Sequence, residues 1–313
     1  MISRRHIRLK VLQSLYSFSL VYNISIEDAA KKMINQFDDI CRLQLTLVSF
    51  LIKLVEYADI FLNQQKNKHF PSKQDLNPNK RFINNNIMQW FVLNKNLTKK
   101  LDLVKNIWEN EDYDIIRTTF MRLYKSKLYK EYITHNDYSI EIDQDFFVDV
   151  LDEYVLNDKV FQHILKEENI YWLDDLPFVS ILLVAQIKDF SVAKKFDYLE
   201  NTFKKKDDIR FANDLFKQTV LNDNLFDDII IENAKNWELD RIASIDKILI
   251  KMALSEILYM KELPIKVSLN EYIEISKYYS TKKSKSFING VLDAAVKKFH
   301  KEGKIKKEGR GLN

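Results

Sequence analysis

Residues 237–261 read WELDRIASIDKILIKMALSEILYMK. Leu239, Ile242, Ile245, Leu249, Met252 and Ile257 recur at helical spacing and form a broad apolar face, which predicts a core-facing helix. Pro264 breaks the chain after it. Ser268-Leu269-Asn270-Glu271 then has the form of a capping box, with the serine side chain accepting from the Glu271 amide and Glu271 reaching back. The helix that this box opens is expected to run through Tyr278. A short basic segment, Ser280 to Ser286, follows. A last helix carries Phe287, Val291, Ala295 and Phe299 on one face and stops near Gly303. Asn289-Gly290 would mark a hairpin turn in a β context, but here it lies inside a helical period, where a glycine lets another helix or a ligand come close. Asp246, inside the first of these helices, reads as a buried hydrogen-bond acceptor.

Outward from there, the N-terminus is the next clearest region. Ile7, Val11, Leu15, Phe18 and Tyr22 form one stripe of a helix over 3–22. Ser25 with Asp28 can cap a short second helix. Leu43, Leu47, Phe50, Leu54, Ala58 and Phe61 mark a long amphipathic helix over 38–66. Residues 67–86 are polar, contain Pro71 and Pro78, and read as a loop or linker. Helical periods resume near 87–106, 113–133, 144–168 and 177–200, with Pro177 in the first turn of the last, and one or two helices follow over 208–235. The expected division is 1–66, a helical insertion at 67–205, a C-terminal helical bundle at 206–303, and a disordered basic tail at 304–313.

Composition narrows the function classes. Four glycines, all beyond residue 289, leave no place for a dinucleotide-binding or phosphate loop, and hairpin-rich β folds also favour glycine. No apolar run reaches the roughly 18 residues of a membrane helix, and the basic and apolar residues at the N-terminus interleave rather than forming a leader. Cys41 is the only cysteine, so no disulfide framework or thiolate metal site is written here. The five histidines show no ligand spacing. The expectation is an all-α protein in the cytoplasm, with no membrane contact, no catalytic residues, no metal and no cofactor.

Charge is polarised. Residues 1–22 hold four basic side chains and no acidic ones, and residues 277–313 hold eleven basic and three acidic. The whole chain carries only +4, so residues 23–276 are near −8. Two basic ends on an acidic body suggest a polyanion partner. Arg4, Arg5 and Arg8 share one helix face at i,i+3 and i,i+4 spacing, which repels unless an anion lies between them. In KYYSTKKSKSFING, Lys277, Lys282, Lys283 and Lys285 can neutralise phosphate. Tyr278 can stack on an unpaired base, and Ser286 and Asn289 can bond base edges.

The run from Asn236 to Asp293 resembles the C-terminal half of the NusB family of bacterial transcription antitermination factors. Asn236-Trp237, Arg241-Ile242, Ile245-Asp246, Ala253 to Glu256, Val267, Asn270-Glu271, Ile275 to Lys277 and, above all, Phe287-Ile288-Asn289-Gly290-Val291-Leu292-Asp293 carry the likeness. RRHIRLKVLQSLYSF, from Arg4, is similar to that family's opening helix. The resemblance implies two packed helical bundles and binding to the boxA element of ribosomal RNA leader transcripts. It implies NusE, a small-subunit ribosomal protein, as co-binder, and the RNA polymerase elongation complex as an indirect partner. It places Arg4, Arg5, Arg8, Gln13 and Tyr16 on the RNA surface, with Lys277, Tyr278, Lys282, Lys283, Ser286 and Asn289 as its second part. Family members are about half this length, so the middle of the chain is an expansion whose role does not carry over. Two alternatives stand beside this: a protein–protein scaffold with incidental basic ends, and a module related to NusB-like domains of ribosomal RNA cytosine methyltransferases. The second would need a glycine-loop domain after the FINGVLD string, and the sequence runs only about twenty residues past it.

Overall fold

The structure, a computed structural model, describes residues 3–21, 23–108, 113–191, 206–234, 241–281 and 283–308. Among them the regular structure is helical, with no β-strand. The all-α expectation holds. The helices in chain order are α1 (Arg4–Leu20), α2 (Ile26–Lys66), α3 (Lys73–Leu76), α4 (Asn86–Leu93), α5 (Lys95–Leu101), α6 (Tyr113–Lys125), α7 (Lys127–Thr134), α8 (Ile140–Val150), α9 (Lys159–Glu168), α10 (Trp172–Lys188), α11 (Lys206–Leu221), α12 (Asp223–Asn233), α13 (Ser244–Tyr259), α14 (Ile265–Tyr279) and α15 (Ser284–Lys301). The chain divides into two compact units. One joins Met1–Phe37 to Asn201–Asn313, and the other is Asp38–Glu200.

In the unit built from the two ends, α13 is the hub, packing against α1, α11, α12, α14 and α15. Its Leu249, Ile250, Met252, Ala253, Leu254 and Ile257 are all buried, which is why its apolar face reads so broad in sequence. Part of that reading, Trp237 and Leu239, lies outside the described residues. Ile7, Val11 and Leu15 of α1 are buried as their spacing predicts, while Tyr22 lies outside the described residues. Ser3 caps α1, its side chain accepting from the His6 amide. Asn23, at φ 75°, makes the left-handed turn before α2, and Ser25 Oγ accepts from the Asp28 amide at 3.0 Å to start it.

Several elements depart from the sequence reading. The short helix after Ser25 and the long one over 38–66 are a single helix of 41 residues. Ala30, Met33, Phe37 and Ile40 are buried and continue the stripe that begins again at Leu43, so nothing interrupts it. The long helical periods of the middle are instead cut where short polar side chains can cap. Asn94 caps α5, Ser126 caps α7 and Asp158 caps α9. Helix α10 starts at Trp172, so Pro177 lies inside it rather than in its first turn. In the polar stretch 67–86, Ser72 and Asp75 form a complete capping box on the single turn α3. The box expected at Ser268–Glu271 does not form. Helix α14 begins after Pro264, and both side chains are engaged elsewhere.

The C-terminal end continues beyond α15 to residue 308 among the described residues. Gly303, at φ 64°, closes α15, with the Lys304 amide donating back to the Phe299 carbonyl at 3.0 Å. Residues 304–308, expected to be disordered, return along α13. The Glu308 amide donates to the Lys261 carbonyl at 3.1 Å, and Lys307 Nζ donates to the carbonyls of Glu256 (3.1 Å) and Met260 (2.8 Å). Lys307 thus adds a charged donor to carbonyls at a helix C-terminus, where positive charge is favoured. Residues 309–313 lie outside the described residues.

The second unit has an aromatic core. Phe82 meets Phe120, Tyr129, Phe146 and Phe147 at centroid distances of 6.2, 5.6, 5.8 and 5.9 Å. Around α2, Phe50 contacts Trp108 at 5.0 Å and Phe161 at 4.8 Å, and those two rings stack on each other. Among the described residues no single helix is long and apolar enough to cross a membrane.

Candidate nucleic-acid interface

The first helix and α14 meet through a network of charges centred on α13. Glu256, fully buried, accepts from Arg8 Nε at 2.8 Å and Arg8 Nη2 at 2.6 Å, a two-pronged pair. Ser268 Oγ donates to its Oε1 at 2.6 Å and the Tyr272 hydroxyl to its Oε2 at 2.9 Å, so each carboxylate oxygen has two donors. Arg8 Nη1 also lies 3.6 Å from Glu271, which accepts twice from Arg5, at 2.8 and 2.7 Å. The Arg8 guanidinium sits over the Phe211 ring at 5.4 Å and the Tyr272 ring at 5.8 Å, and Arg4 sits over Phe211 at 5.0 Å. Burial works against the Arg8 charge, yet its hydrogen bonds to Glu256 and the charges of Tyr272, Glu256 and Glu271 together outweigh it, and its pKa is raised. Burial, reinforced by the Glu256 charge, pushes the Tyr272 hydroxyl well up, so it stays a donor. The hydrogen bonds from Arg5 hold the Glu271 carboxyl below its usual range.

This corrects one expectation. Arg8, expected on the same solvent-facing side as Arg4 and Arg5, is 2% exposed. Helix α1 is covered by both α11 and α13, so its buried face is wider than one stripe and takes in Arg8 and Lys10. Gln13 is buried too. Arg4 is half-buried, 3.9 Å from Asp208, while Arg5 and Tyr16 remain exposed. In the second region Lys277, Tyr278, Lys283, Lys285, Ser286 and Asn289 are all exposed, Tyr278 by 83%. Lys282 lies outside the described residues. Lys277 is paired with Glu274. The Glu274 carboxyl is held below its usual range by that bond and by the nearby charges of Lys277, Arg5 and Lys285. One carboxylate on α14 therefore feels basic groups from both ends of the chain.

Asn289 and Gly290 are helical, as their context predicts, and exposed on α15. A Cβ at Gly290 would meet nothing within 4 Å, so the close approach that a glycine permits is not made by a described residue. Asp246 is buried as expected, but its Oδ1 accepts from no described residue. Sequence reasoning missed Glu256, the centre of the network. Its signal is a single carboxylate in a run from Met252 to Ile257 whose only other polar residue is Ser255.

His6 adds a pH dependence to this unit. Burial, helped by the Lys10 charge, lowers its pKa to about 4, from an ordinary 6.5. The unfolded chain therefore binds a proton between these values that the folded chain refuses. Stability is full above about 6.5 and falls as pH drops toward 4, by up to about 3 kcal/mol for a shift of this size. Thermal melts from pH 7 to pH 4 should show a falling transition that His6→Gln flattens. Equal pH slopes in the two proteins would contradict a neutral buried imidazole.

The NusB family model matches residues 179–297. The chain is 48% identical over 102 residues to the transcription antitermination protein NusB of Salinibacter ruber, covering 33% of this chain and 64% of that protein. It is 45% identical over 108 residues to that of Chloroherpeton thalassium, covering 34% of this chain and 51% of that protein. The Thermodesulfovibrio yellowstonii protein is 42% identical over 87 residues, covering 28% and 58%. The chain thus spans between half and two thirds of the length of these relatives. A solved structure of T. maritima NusB aligns over 44% of this chain and 82% of its own, at 27% identity and a TM-score of 0.29, too low to bear on the fold. The likeness to NusB proteins is carried by residues 179–297, which the family model matches, and it leaves most of the chain before them unmatched.

Proposed function

We propose that this chain acts in transcription antitermination by binding boxA-type single-stranded RNA together with NusE, reaching the RNA polymerase elongation complex indirectly. The observation that carries this is the joining of both basic ends in one unit, with Arg5, Lys277 and Lys285 gathered around Glu274. Exposed lysines beside an exposed tyrosine and asparagine suit a strand whose phosphates are neutralised while its bases stack. The RNA surface in this reading comprises Arg4, Arg5 and Tyr16 of α1 with Lys277, Tyr278, Lys282, Lys283, Lys285, Ser286 and Asn289. Arg8 and Gln13 support it from beneath. Residues 38–200 lie largely outside the matched region, and no catalytic step is proposed for either unit.

Filter binding of boxA RNA at several salt concentrations tests the reading. Each phosphate contact contributes a slope of about −0.7 in log K against log salt, so four to six contacts give roughly −3 to −4. Replacing Lys283 and Lys285 with alanine should flatten that slope by about 1 to 1.5 and weaken all RNA sequences alike. An affinity indifferent to salt and to both lysines would reject the surface and favour the scaffold alternative.

A further inference from the structure

The unit formed by residues 38–200 has a polar cavity of about 340 Å³, lined among others by Asn79, Lys80, Arg81, Asn84, Tyr138 and Asp143. Its volume lies at the lower end of the range for small-ligand sites, near what a single nucleotide needs. The wall is built around Arg81, which is 6% exposed. Arg81 Nη1 donates to the His135 carbonyl at 2.6 Å and Nη2 to the Asp137 carbonyl at 2.5 Å. Its guanidinium is held between two rings, Tyr132 at 4.6 Å and Tyr138 at 4.4 Å. Among the described residues it pairs with no carboxylate, and its Nε donates to nothing. Arg81 is thus a buried cation held by carbonyls and the Tyr132 and Tyr138 side chains at the cavity wall.

The acids nearby are engaged by other groups. Asp143 accepts from the Tyr132 hydroxyl at 2.8 Å, from the Asn86 amide at 3.1 Å and from Asn86 Nδ2 at 2.9 Å. Asp137 accepts from the amide and hydroxyl of Ser139, and Asp59 pairs with Lys80 at 3.2 Å. Between residues 60 and 101 the chain carries eight basic side chains and one acidic one, although the unit as a whole is acidic. Tyr138 is 68% exposed, with one face on the Arg81 guanidinium. Its other face is open. The Asn84 side chain is exposed at the rim, with both amide donors and the carbonyl available for a base edge.

We propose that this cavity holds one unpaired nucleotide of a bound RNA strand, its base stacked on Tyr138, its edge read by Asn84 and its phosphate near Lys80. The proposal rests on the RNA-binding reading given above and extends it to the central unit. Arg81 is a positioning residue, fixing the Tyr138 ring from behind rather than touching the strand.

The test is photo-crosslinking of the full-length chain to a 4-thiouridine-substituted boxA RNA with a long 3′ extension, followed by peptide mass spectrometry. The proposal expects crosslinks at the Tyr138 peptide as well as at peptides from α1 or α15. It expects Tyr138→Ala to lower affinity for the extended RNA by roughly 5- to 150-fold, the range for losing one base–aromatic stack. Tyr138→Phe should restore it, and an unchanged melting temperature would separate lost stacking from lost folding. Crosslinks confined to α1 and α15 would overturn the proposal and leave the RNA-binding reading intact. An absence of crosslinks everywhere would overturn both. Adenosine 5′-monophosphate that binds as tightly as the RNA would overturn the assignment to a strand.

Discussion

Glu256→Ala should lower the stability of the unit built from the chain ends by about 3–5 kcal/mol, the usual cost of leaving one member of a buried ion pair uncompensated. Arg8 would keep only Glu271, at 3.6 Å, as a charged partner, and the hydroxyls of Ser268 and Tyr272 would lose their acceptor. For a unit of this size the melting temperature should fall by on the order of 10 °C. The pair itself is a weaker stabiliser than that loss suggests, because its desolvation opposes its attraction. The double change Arg8→Met with Glu256→Leu should therefore be milder than the sum of the two single changes. Additive losses in calorimetry would contradict a direct buried pair.

Phe82→Ala should have an effect of similar size in the other unit, about 3–5 kcal/mol. Phe82 is fully buried and touches four other rings, which belong to α6, α7 and α8. Removing it leaves a cavity that rigid aromatic neighbours fill poorly, and each edge-to-face pair is lost as well. Hydrogen exchange should show the loss in α6, α7 and α8. If the destabilisation falls instead on α13 and α15, the Phe82 cluster does not act as the core of residues 38–200.

Which parts of this were legible depended on how many sides of a helix are covered. Where one face is buried and one is wet, spacing alone located the helix, as in α15. Helix α1 is packed on two sides, so periodicity found Ile7, Val11 and Leu15 but left Arg8 on the wrong side of the boundary. The capping box at Ser268 failed for a related reason. A serine three residues before a glutamate satisfies the local pattern, and only the buried carboxylate of Glu256, twelve residues upstream, shows why the hydroxyl is used elsewhere. The exposed basic and aromatic residues of the second region were readable because a solvated segment obeys local chemistry. The division of the chain at Phe37 was not readable, since it falls within an unbroken helix with no proline, glycine or polar gap to mark it.

That division has a consequence during synthesis. Arg8 is made 248 residues before the carboxylate that neutralises it. At about 5–20 residues per second, translation leaves α1 without its partner for roughly 12–50 s. Residues 38–200 are complete well before then. The middle of the chain can therefore fold as a unit before the ends meet. Ribosome-arrested chains that stop short of Glu256 should leave α1 open to protease while the Phe82 core is already protected.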